Sequence, residues 1–135
     1  YNQPSDVNLA SFSSWGPTDD GRIKPDIVGV GVSVLSASSS GDSLYTSLSG
    51  TSMASPNVAG SLLLLQELYA QRNGGQFLRA STLKGLAIHT ADEAGLSPGP
   101  DYRFGWGLLN MERAGRAILN TDQNYLVSER TLEQG

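Results

Sequence analysis

Gly50-Thr51-Ser52-Met53-Ala54-Ser55-Pro56 is the stretch on which the reading of this chain turns. It stands between an extended run, Leu44 to Ser49, and the strongest helical pattern in the sequence, predicted over residues 54–72. Val58, Leu62, Leu65, Leu68 and Tyr69 recur at helical spacing and share one face. Leu63 and Leu64 widen that stripe, so most of the helix is predicted to be buried, with Gly60 at a close helix–strand contact. Pro56 suits a first turn, where its missing N–H costs nothing, and Asn73-Gly74-Gly75 ends the helix. A serine at such a helix start meets unpaired backbone N–H groups and the positive end of the macrodipole. Gly50 and Ala54 are small enough to let a carbonyl group approach Ser52. These are the needs of an acyl-transfer nucleophile whose own N–H helps to hold an oxyanion. The plainer alternative is that the Thr51-Ser52 pair only caps the helix.

Outward from this stretch the pattern is mixed. Leu9 to Ser13 alternates as a short strand would, and turns follow at Trp15-Gly16-Pro17 and Asp19-Asp20-Gly21. Asp26 to Val30 reads as a buried strand, Val32 to Leu35 as another extended piece, and Ser36 to Asp42 as a surface loop. A second helix is predicted over residues 78–89 with Leu83, Leu86 and Ala87 inward, and a third over residues 111–119. Between them lie a Gly/Pro-rich loop, Gly95 to Gly107, and the apolar pair Leu108-Leu109. The polar tail from Asn120 holds one candidate strand, Tyr125-Leu126-Val127. Short strands with amphipathic helices indicate an α/β layered domain. The strands are few for helices this apolar, and a further N-terminal half is expected to supply the rest.

Composition narrows the function classes. The 135 residues are 39% hydrophobic and 16% charged, with a formal net charge of −4. The nine basic residues are scattered, so no stripe is available to neutralise nucleic-acid phosphates. With no cysteine and one histidine, disulfide frameworks, thiolate metal sites and multi-histidine metal clusters within the chain are excluded. The longest apolar run, Leu62 to Leu65, is far short of the ~20 residues that span a bilayer. The start, Tyr1-Asn2-Gln3-Pro4, carries neither an initiating methionine nor a signal pattern, and the chain is expected to be part of a longer polypeptide.

The string from Gly50 to Pro56, preceded by Tyr45-Thr46-Ser47-Leu48-Ser49 and followed by Asn57-Val58-Ala59-Gly60, resembles the nucleophile signature of the subtilisin-like serine proteases. Ser11-Phe12-Ser13-Ser14-Trp15-Gly16-Pro17 and Lys24-Pro25-Asp26-Ile27-Val28 resemble family segments before the nucleophile. Leu86-Ala87-Ile88-His89-Thr90-Ala91 and Phe104-Gly105-Trp106-Gly107 resemble segments after it. Thr18 to Asp26 is most similar to the branch that carries an additional β-rich domain. One departure is Gly29-Val30-Gly31, where the family usually has a small residue, Pro and Gly.

The resemblance implies the C-terminal portion of the subtilisin-like parallel-sheet, three-layer α/β fold over residues 1–119. Residues 120–135 are then a tail or linker toward a downstream domain. It implies a secreted or cell-envelope endopeptidase in which Ser52 attacks a peptide carbonyl and the Ser52 N–H lines the oxyanion hole. The family's catalytic Asp and His precede the Ser, but no histidine lies upstream of Ser52 here. Asp6, Asp19, Asp20, Asp26 and Asp42 do not sit in the catalytic-aspartate context, and the asparagine oxyanion donor is not recognisable. The chain alone is therefore expected to be inactive. His89 is structural in the family. An order Ser52, Glu67, His89 fails because Glu67 lies some four turns along the helix. Met53 is read as core packing or part of the site rim, and a sulfoxide there would put a polar group beside the serine. Asp19-Asp20-Gly21 reads as a solvated turn in preference to a calcium loop, since it offers only two adjacent carboxylates, and Tyr102, Phe104 and Trp106 read as packing of a Gly-rich loop in preference to a ligand patch. No cofactor is implied, and a structural calcium is left open for the full-length protein. The expected partners are polypeptide substrates and the remaining part of the same catalytic domain, without nucleic acid or membrane. Self-association through an exposed sheet edge is the further option. The rival reading is a noncatalytic binding or assembly module that keeps this half-fold.

Overall fold

The computed structural model describes residues 2–120 and 127–130. A short 3₁₀ turn, Pro4–Asp6, is followed by β1 (Val34–Ala37), β2 (Tyr45–Leu48), α1 (Thr51–Arg72), α2 (Ala80–His89) and α3 (Met111–Leu119). β1 and β2 form an antiparallel hairpin with Val34 opposite Leu48 and Ala37 opposite Tyr45. α1 has 22 residues, about 33 Å of helix, and supports the rest of the structure. Its C-terminal half packs on α2 and α3 around Leu65, Leu78, Leu86, Ala114 and Ala117. Leu62, Tyr69, Leu83 and Val127 close around that core. Leu78 is pinned in two directions by the Gln66 amide, which donates to its carbonyl at 2.9 Å and accepts its N–H at 2.8 Å.

A second contact region ties the N-terminal segment to the loops. Leu108 lies between Val28, in a parallel bridge, and Asp92, in an antiparallel one. The Val28 N–H donates to the Gly107 carbonyl at 2.9 Å, and the Leu109 N–H returns to the Val28 carbonyl at 3.0 Å. Residue 107 must be glycine, because a Cβ would lie 2.1 Å from the Asp92 carbonyl oxygen and φ is +114°. Arg103 stacks on Trp15 at 4.6 Å and reaches Phe104, which is buried as expected, whereas Tyr102 and Trp106 of the same loop are exposed. Thr90, fully buried, satisfies its hydroxyl by donating to the Leu86 carbonyl at 2.8 Å.

The sequence expectations hold where signals are local and shift where they depend on partners. α3 spans the predicted residues, fixed by Asn110, whose side chain accepts the Arg113 N–H, and by left-handed Asn120. α2 begins at Ala80 rather than residue 78, and α1 at Thr51, three residues early, so Pro56 lies inside the helix. Leu9 to Ser13 is not a strand. It makes a turn, with the Ser13 N–H donating to the Ala10 carbonyl, because no described strand offers it a ladder. The segment Asp26 to Val30 is partly buried and reduced to the single bridge at Val28. β1 sits two residues later than the extended piece read from the sequence, since pairing with β2 sets its register. The prediction that most of α1 is buried fails. Leu63 and Leu64 are 70% and 60% exposed, and a Cβ on Gly60 would meet nothing within 4 Å. No described element covers that face. Residues Tyr125 and Leu126 of the candidate tail strand lie outside the described residues.

Candidate active site

β2 leads through Ser49 and Gly50 directly into α1, which makes Gly50 the N-cap and places Thr51 and Ser52 at the first two helical positions. No side chain caps the helix, so the reading of Thr51-Ser52 as a mere cap is not what the fold shows. The Met53 and Ala54 N–H groups turn back onto the Gly50 carbonyl at 3.0 and 3.3 Å. Those of Thr51 and Ser52 have no partner among the described residues and point out of the helix end. The Ser52 hydroxyl likewise has no hydrogen-bond partner among the described residues, and the residue is exposed. No acidic side chain occupies the first turn to compete for the positive end of the dipole. Pro56 adds a further feature: it cannot give the N–H that a regular helix would send to the Ser52 carbonyl.

The segment Val28–Gly31 lies close along the N-terminal half of α1. A Cβ at Gly29 would stand 2.6 Å from Val58 Cγ2, and one at Gly31 would stand 2.8 Å from the Gly50 carbonyl oxygen. The departure Gly29-Val30-Gly31 is therefore a close-approach device, with both glycines turned against the helix that carries Ser52. Beside it opens a groove of ≈ 860 Å³, lined by Phe12, Ile27, Val30, Val58 and Leu62 among others. Thr51, Ala54 and Ser55 reach its wall, whereas Ser52 does not.

The other candidates fall elsewhere. His89 ends α2, and no hydrogen bond joins it to Ser52. Glu67 is fifteen residues along the same helix, about 22 Å away, and accepts from Gln71. Met53 is half-buried beside Gly50. Asp20 accepts from the Thr18 hydroxyl and pairs with Arg22 at 2.8 Å, which together hold its carboxyl below the ordinary range. It belongs to a solvated turn. Asp26 is held low too, because the Lys24 and Lys84 ammonium groups outweigh a partial burial that pushes the other way. Among the described residues no group of three or more His, Cys, Asp or Glu could hold a metal ion. No described helix is long and apolar enough to cross a membrane.

Sequence reasoning missed two features. Ser49 accepts the Ser33 N–H through its side chain at 2.8 Å, a contact across the base of the hairpin. Glu129 accepts from the Arg79 N–H and the Thr82 hydroxyl at the start of α2, some fifty residues earlier in the chain. No local pattern signals either one.

Against this geometry the comparisons with known proteins agree. The C5a peptidase of Streptococcus pyogenes is 52% identical over 65 residues, which are 48% of this chain and 6% of that protein. The subtilisin-like protease SBT3.4 of Arabidopsis thaliana is 32% identical over 93% of this chain and 18% of its own length. The structure of the Clostridium perfringens CspB protease superposes with a TM-score of 0.75 at 31% identity, over 86% of this chain and 24% of that one. The chain thus spans less than a quarter of each of these relatives, and its α/β architecture corresponds to part of a subtilisin-like protease. The profile of the Subtilase family matches residues 1–107, the stretch that holds Ser52, the helix it opens and the glycine segment packed against it, and the chain belongs to that family.

Proposed function

We propose that this chain is the nucleophile-bearing portion of a subtilisin-like serine endopeptidase. The observation that carries the reading is Ser52 itself: an exposed hydroxyl with no competing hydrogen bond among the described residues, at a helix start whose first two N–H groups find no partner among them either. In the proposed reaction Ser52 Oγ bonds to the peptide carbonyl carbon as its proton passes to a histidine base. The carbonyl oxygen gains charge against the Ser52 N–H, and the peptide C–N bond then breaks as the base protonates the leaving amine. Water reverses the sequence and frees the acyl group. The base and its orienting carboxylate come from another part of the polypeptide, because the one histidine here ends α2. The apolar groove and the exposed Leu63-Leu64 face of α1 are where that part packs. Relatives named as peptidases and proteases support a polypeptide substrate, and action in the cell envelope or outside the cell is part of the same proposal.

The test is hydrolysis of a peptide substrate by the complete polypeptide that carries this chain. Ser52→Ala is expected to lower kcat by a factor on the order of 10⁶ with little change in thermal midpoint. Thr51→Ala is expected to retain measurable turnover. Full activity after Ser52→Ala would remove the proposal and favour a noncatalytic module.

A further inference from the structure

The start of α1 is held on both sides of Ser52 by one short piece of chain, Val30 to Ser33. Upstream, the Gly50 N–H donates to the Gly31 carbonyl at 2.8 Å, and Ser49 Oγ accepts the Ser33 N–H at 2.8 Å. Downstream, Asn57 Oδ1 accepts the Val30 N–H at 3.3 Å. Gly31 is buried between these points, with the Gly50 carbonyl and Ala54 Cβ so close that no side chain fits. Ser33 adopts φ 52°, a left-handed conformation uncommon outside glycine, at the residue whose N–H meets Ser49.

A helix start without a side-chain cap frays readily, and α1 has no such cap. Thr51, Ser52, Ser55 and Pro56 are exposed, so side-chain packing does little to fix this turn. Neither Ser49 nor Asn57 is needed for the chemistry of acyl transfer. We infer that Ser49 and Asn57 are positioning residues that bracket Ser52, pinning the first turn of α1 to the Val30–Ser33 segment. This rests on the proposed role of Ser52 and adds what keeps its hydroxyl in line. A displacement near 1 Å at a reacting atom costs up to about 10²-fold in rate. The loss of one bracket bond, with the other side intact, is expected to cost about 3- to 10-fold.

The experiment compares Ser49→Ala, Ser49→Thr and Asn57→Ala in the complete polypeptide. Its readouts are kcat, KM and the rate of Ser52 labelling by an aryl phosphonate. Ser49→Ala and Asn57→Ala are expected to lower kcat and labelling together with KM unchanged. Ser49→Thr, which keeps the accepting hydroxyl, is expected to stay within about twofold of the parent. Unchanged kcat and labelling in both alanine variants, or Ser49→Thr as slow as Ser49→Ala, would overturn the bracket. If the parent is not labelled at Ser52, the proposed function fails and the bracket is judged by amide hydrogen exchange. Exchange at Gly50, Met53 and Ala54 is then expected to be faster in Ser49→Ala than in Ser49→Thr, and equal rates would overturn it.

Discussion

At the scale of single residues the site is a matter of what is left unbonded and what is packed too closely to change. Ser52 combines a hydroxyl and an N–H that have no partner among the described residues, while the Gly31 segment behind its turn has almost no room. Gly31 measures that room. A Cβ there would stand 2.8 Å from the Gly50 carbonyl oxygen and 3.0 Å from Ala54 Cβ, so backbone has to move. Gly31→Ala is therefore expected to destabilise the chain by about 1–3 kcal/mol, read from the denaturant midpoint. A neutral effect would show that this segment does not press on the helix. The proposed nucleophile was legible in the sequence because the order small residue, Thr, Ser, Met, small residue before an apolar helix is local. The seat beneath it was not. In the sequence Gly29-Val30-Gly31 is only a departure from the family pattern, and it is the helix beside it that gives both glycines a neighbour.

At the scale of elements, helices with their own end signals were readable and elements finished by distant residues were not. α3 carries Asn110 at its start and Asn120 at its end, and its limits follow from those two residues. Arg79, the N-cap residue before α2, makes no side-chain cap bond, and Glu129 supplies the acceptor instead. The Thr82 hydroxyl, the Arg79 N–H and then the Arg79 charge hold the Glu129 carboxyl below the ordinary range. Val127, packed on the core beside it, brings this stretch of chain against α2. A carboxylate with a lowered folded pKa contributes stability above its unfolded pKa of about 4.3 and loses it as pH falls through the folded value. Glu129→Gln is accordingly expected to lower the thermal midpoint at pH 7, with the gap to the parent closing as pH falls below the ordinary carboxylate range. A gap that is the same at pH 7 and pH 3 would mean that the charge of Glu129 is not what caps α2. The strands show the opposite limit. Leu9 to Ser13 has a strand-like alternation and turns instead, because alternation specifies a face and not a partner.

At the scale of the whole molecule, the sides of α1 differ. One side is enclosed by α2 and α3 around Leu65, while Leu63 and Leu64 are exposed and residues of the N-terminal half wall the apolar groove. The apolar stripe of α1 was legible as a buried helix; the sequence could not show that only one side of it is covered by these residues. The proposed enzyme joins this open side to the part of the polypeptide that brings the base, so that neither part works alone. The central claim is that Ser52 is the nucleophile and that its activation comes from outside this chain. The direct measurement exposes the complete polypeptide and this chain to the same aryl phosphonate for the same time, then maps the labelled peptide by mass. The account predicts rapid labelling at Ser52 in the complete polypeptide and little in the chain alone, because the probe also needs the base. Labelling at Ser49 or Ser55, or rapid labelling of the chain by itself, would contradict it.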